Sequence, residues 1–76
     1  MEKKIVKKRF QLKREEIVLF QFILESYEGI ATVSTIDSTK DAVVEVHVMH
    51  DFVREIENIL QSMKKNCAFI EMQEGL

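Results

Sequence analysis

Seventy-six residues, 46% apolar and 32% charged, leave room for one small domain over 1–76, too apolar for a solvating tail and too short for two cores. A lone core of this size rarely supplies more than about 3–5 kcal/mol. With a single cysteine, Cys67, excluding an internal disulfide, self-association is the remaining source of burial. The net charge is −2 and uneven: residues 1–14 carry +6 and residues 15–76 carry −8.

Residues 4–12 alternate with period two, with Val6, Phe10 and Leu12 on one face and Ile5, Lys7, Arg9 and Gln11 on the other; Lys8 is the misfit in an expected first strand. Residues 14–28 are good helix formers with Glu15 and Glu16 in the opening turn, and Gly29 stands where a left-handed terminator belongs. Ile30 to Ile36 is rich in β-branched residues, 37–41 is turn chemistry, and Ala42 to Met49 alternates Val44, Val46 and Val48 with Val43, Glu45, His47 and Met49. The second strand is half apolar on either phase. Asp51 is expected to cap a helix over 51–65, on which Phe52, Val53, Ile56, Ile59, Leu60 and Met63 recur at helical spacing. A last strand is expected over about 67–73, with Cys67, Phe69 and Glu71 on one face and Ala68, Ile70 and Met72 on the other.

The order βαββαβ, with right-handed crossovers, predicts a ferredoxin-like α+β fold: a four-stranded antiparallel sheet, first and third strands central, and two helices on one face. The uncovered face is expected to show Ile5, Lys7, Arg9, Gln11, Val43, Glu45, His47, Met49, Cys67, Phe69 and Glu71. The first helix is apolar around most of its circumference. Ile17, Phe20, Ile23, Leu24 and Tyr27 form a stripe for the sheet, while Val18 and Phe22, with Leu19, point aside to pack on the second helix, on a loop, or on another subunit. Val18, Leu19, Phe22, Val43, Met49 and Phe69 are therefore the interface candidates for a homodimer.

Few residues offer chemistry. His47 and His50 form an HxxH pair, but residues three apart on a strand face opposite ways and a closed metal site needs more ligands than these. Cys67 has no CxxC partner and no assured base, and no acid/base pair of carboxylates can be nominated. Gly29 follows a helix instead of preceding one, unlike a phosphate loop. No metal, cofactor or catalytic residue is expected. RNA-binding domains of this topology stack bases on aromatics of the central strands; the third strand, AVVEVHVM, has none, and only Phe69 is placed to stack. Lys7, Arg9, Lys13 and Arg14 are the candidates for polyanion contact, as a basic strand touching RNA phosphates without reading sequence.

The opening MEKKIVKKRF lacks the apolar run of an export signal. Ile17 to Leu24, interrupted by Gln21, is far short of the ~20 residues that span a bilayer. No membrane contact is expected, and the location expected is cytoplasmic.

The βαββαβ order with Glu28-Gly29-Ile30 joining an apolar helix to a strand resembles ACT-type ligand-sensing domains, which dimerise or sit beside enzymes. In those a glycine commonly occupies the loop after the first strand, where a small effector binds; here the loop is Leu12-Lys13-Arg14-Glu15. The segment FILESYEGIATVSTID followed by VEVHV is also similar to a small bacterial family known only as a domain of unknown function. A complete fold with no catalytic set predicts a non-enzymatic homodimer that binds a small-molecule effector or a protein partner, and the ACT-type resemblance implies a regulatory or binding role for it.

Overall fold

A computed structural model describes residues 4–27 and 30–72. Strand β1 (Ile5–Lys13) leads through a 3-10 turn (Arg14–Glu16) into helix α1 (Ile17–Glu25). Strands β2 (Ala31–Asp37) and β3 (Asp41–Met49) follow. A second 3-10 turn (His50–Phe52) enters α2 (Val53–Met63), and β4 (Phe69–Met72) completes the described order. The strands form one antiparallel sheet in the order β2-β3-β1-β4, with β1 and β3 central.

The apolar alternation explains why this sheet holds one helix layer. Phe10, Leu12, Val44, Val46 and Val48 point inward and join Phe20 and Leu24 of α1 with Ile56, Leu60 and Met63 of α2 in a single core. Both helices therefore cover the same face. The second strand resolves its phase here, Ala31 and Val33 turning in and Thr32 and Ser34 out. Phe10, Phe20 and Phe69 meet with ring centroids 5.2–5.7 Å apart, the Phe69 contacts edge-on, a geometry that adds about 0.5–1.5 kcal/mol per pair beyond area burial.

That trio overturns one expectation. Phe69 packs into the core between sheet and helices and Cys67 is buried, so β4 has the opposite phase to the one its alternation suggests. Its two faces are nearly balanced in hydrophobicity, and seating an aromatic ring between Phe10 and Phe20 decides the matter, leaving Ile70 and Met72 outward. Phe69 is thus neither a stacking platform nor part of the open face, and Glu71 reaches Lys8 instead.

The first helix is shorter than the expected 14–28 at both ends: its opening turn is 3-10 and its last helical residue is Glu25; the expected terminator Gly29 lies outside the described residues, as does Gln73 of the last strand. Asp51 does not cap the second helix: it sits within the 3-10 turn, Phe52 takes the cap position, and no side chain bonds the free N–H groups there. In the β2–β3 turn, the Thr39 N–H donates to Asp37 Oδ1 at 2.9 Å, a local bond that holds the Asp37 carboxyl below the usual range and fixes the hairpin.

Candidate functional site

The uncovered sheet face is built by the alternate residues of the same strands. On β1 and β3 the pairs Ile5/Met49, Lys7/His47, Arg9/Glu45, Gln11/Val43 and Lys13/Asp41 stand directly opposite one another. On the flanks, Thr32 and Ser34 of β2 extend the His47 and Glu45 rows, and Ile70 and Met72 of β4 extend the Gln11 and Arg9 rows. The β2 register slips between Thr35 and Asp37, so that Ile36 is the extra residue of a bulge opposite Val43.

A polar network sits at the centre. Arg9 Nε donates to Glu45 Oε2 at 3.0 Å, and His47 Nε2 lies 2.7 Å from Glu45 Oε1. Glu45 is 9% exposed, yet each of its oxygens has a donor. The hydrogen bonds from His47 first, and then from Arg9, hold its carboxyl below the ordinary glutamate range. Because an ionised carboxylate only accepts, His47 Nε2 carries the proton in this contact. A carboxylate with donors on both oxygens is a fixed charge that orients its neighbours; it is poorly placed to pass protons.

Around this centre the open face is apolar at its corners. Ile5 is 58% exposed and Ile70 68%, with Met72 and Ile36 also in water. On the helix layer, Val18 at 78%, Phe22 at 70% and Leu19 leave a second apolar surface exposed, and so among the described residues neither α2 nor a loop takes them up. Of the interface candidates, Val18, Leu19 and Phe22 share this flank, Val43 and Met49 lie half-buried on the open sheet face, and Phe69 belongs to the interior.

The basic candidates divide. Lys7, Lys13 and Arg14 are exposed, whereas Arg9 is engaged by Glu45. Lys8, the misfit of the alternation, lies under the helices with its amine 3.2 Å from Glu71 Oε2 and 3.6 Å from Glu57 Oε2; its aliphatic stem is covered while its charge reaches the rim. Sequence alternation exposes the Lys8 anomaly, but nothing local names carboxylates from α2 and β4 as its partners.

The histidines do not converge. His47 is committed to Glu45, and His50 lies in the 3-10 turn, 3.9 Å from the Asp51 carboxylate. Among the described residues no three metal-ligating side chains come together. Cys67 is buried, and that burial, followed by the charge of Glu16, raises its thiol pKa, which favours the unreactive thiol over the thiolate. Two open grooves border β4: one of about 570 Å³ lined by Glu57, Gln61, Lys64, Phe69 and Glu71, and one of about 590 Å³ that passes Gln11, Lys13, Asp41, Lys64 and Ile70. Among the described residues no helix is long and apolar enough to cross a membrane.

No curated protein and no solved structure matches the chain. A family described as Domain of unknown function (DUF4911) matches residues 10–66, from the inward Phe10 through the α2 stop, and this stretch carries the end of β1, the whole of β2 and β3, both helices and the Glu45–His47 pair. The chain belongs to that family.

Proposed function

We propose that this domain is a non-enzymatic binding module that works as a homodimer, with a ferredoxin-like arrangement used in the manner of ACT-type regulatory domains. The observation that carries the reading is the apolar surface left in water on both layers of so small a protein: Val18 and Phe22 on α1, Ile5 and Ile70 on the open sheet face. A twofold dimer uses one patch twice. One surface therefore serves self-association and the other remains for a second partner, a protein or a small effector. A buried thiol kept protonated suits a reducing cytoplasm.

RNA contact through the basic first strand is the weaker alternative. Arg9 is engaged by Glu45 and Lys8 by Glu57 and Glu71, and among the described residues the open face carries no phenylalanine or tyrosine on which a base could stack. Retention on a polyanion that falls steeply with salt would favour it; absent or salt-insensitive retention removes it.

Sedimentation equilibrium across micromolar concentrations tests the main reading. It is expected to return twice the chain mass. A stable, ligand-free single copy at high concentration would contradict it.

A further inference from the structure

We propose that the second copy seats on the open sheet face, related to the first by a twofold axis running parallel to the strands between β1 and β3. The inference rests on the homodimeric reading above and adds its geometry. With the strands of the two copies aligned, as in one of the two common sheet-on-sheet packings, the in-plane twofold runs either along or across the strands, and the charge pattern chooses between them. An axis along the strands exchanges β1 with β3 and keeps every residue at its own level, so residues that pair across the β1–β3 ladder also meet across the interface. Lys13 then lies over the partner's Asp41, Arg9 over the partner's Glu45, Gln11 over the partner's Val43 and Ile5 over the partner's Met49.

The flanks follow the same rule. With the order β2-β3-β1-β4, β4 falls over the partner's β2, and Ile70 meets the bulge formed by the partner's Ile36 and Asp37. Two side chains that are 68% and 50% exposed in one copy, Ile70 and Ile36, thereby cover each other. Lys7 faces the partner's His47, whose Nε2 proton is already given to Glu45. An axis across the strands instead lays β1 on β1 and β3 on β3. Passing through the Arg9–Glu45 row at the middle of the ladder, it stacks Arg9 on Arg9 and Glu45 on Glu45, a like-charge juxtaposition that specific interfaces avoid.

Size and edge protection point the same way. Central strands about 30 Å long, four abreast at about 4.8 Å, make a face of roughly 500 Å² in projection, which side-chain relief brings towards the ~800 Å² per partner of a standard interface. Val18, Leu19 and Phe22 are three neighbouring side chains on one helix flank, an apolar patch of a size ordinary on monomers. Edge pairing is blunted as well: Glu25 Oε2 accepts the outward Val33 N–H of β2 at 2.9 Å, β2 is bulged, and β4 pairs over four positions. Edges treated in this way resist strand addition. Glu45 enters such an interface already satisfied, so covering it strands no polar atom.

The experiment compares K13E, D41K and their 1:1 mixture by native mass spectrometry, with F22K as control and far-UV circular dichroism reporting the fold. Lys13 and Asp41 are exposed strand-end residues, so both variants are expected to remain folded. Each alone is expected to dimerise about tenfold more weakly than the unaltered chain, because one facing pair turns repulsive and occurs twice. The mixture restores dimers as heterodimers, since Glu at 13 then faces Lys at 41, and F22K leaves the dimer unchanged. K13E dimerising as well as the unaltered chain, or F22K dissociating it, would overturn the seat while the homodimer stands. An unaltered chain that stays single would overturn both.

Discussion

The two faces of the sheet are made by the same strands and are governed by different physics. In β3, Val44, Val46 and Val48 point to the helices and are fully buried, while Val43, Glu45, His47 and Met49 alternate with them on the open side. The inner face is held by shape: three rings from β1, α1 and β4 interlock, and aliphatic residues of both helices close over them. The outer face is held by charge placement, with Glu45 gripped from two sides between apolar corners. Volume decides what the first face accepts, and pairing decides what the second accepts.

The sharpest way to break the contrast is on the inner face. Phe20→Ala removes a wholly buried ring and is expected to cost about 3–5 kcal/mol, comparable to all the stability a core of this size supplies; urea unfolding and near-UV circular dichroism should show an expanded or unfolded chain. Ile70→Ser, at a site on the outer face, is expected to leave the single copy within about 0.5 kcal/mol. It should cost the dimer about 1–3 kcal/mol, since a side chain covered in the pair is exposed in the monomer. The check is a melting temperature that is lower in the variant at a given protein concentration, with its rise on concentration shifted to higher protein.

Glu45 sharpens the comparison through pH. Its carboxyl is held below the ordinary glutamate value by the bonds from His47 and Arg9. The folded state therefore gains stability that is present above the unfolded glutamate range and is lost as pH falls through the lowered folded value. Unfolding midpoints followed downward from neutral pH should show this loss in the unaltered chain and a shallower one in Glu45→Gln. The smallest effect is expected at Lys8. Its partners Glu57 and Glu71 stay largely in water, so Lys8→Met should change the unfolding free energy from a urea titration by less than about 1 kcal/mol.

Element order and most of the inner face were readable from the chain, because Phe10, Leu12 and the β3 valines recur at the strand period and Ile56, Leu60 and Met63 at the helical one. The phase of strand β4 is not legible in the sequence, because a short segment with Phe69 on one side and Ile70 and Met72 on the other carries no net preference. Only the tertiary cavity beside Phe10 and Phe20 breaks the tie. Asp51 had cap chemistry, but the helix enters through a 3-10 turn that shifts the cap to Phe52. Glu45 and His47 were visibly on one face, two residues apart, whereas Arg9 joins them through the β1–β3 register, which period alone does not supply. The exposure of Val18 and Phe22 was foreshadowed by the nearly all-round apolar first helix.

Methyl NMR with a soluble paramagnetic probe tests most directly whether the outer face is covered. At dimer-forming concentrations, the methyl groups of Val43, Met49 and Ile70 are predicted to be shielded from the probe while those of Val18 are relaxed strongly. Equal relaxation of the open-face methyls and Val18 in a sample of dimer mass would contradict the account.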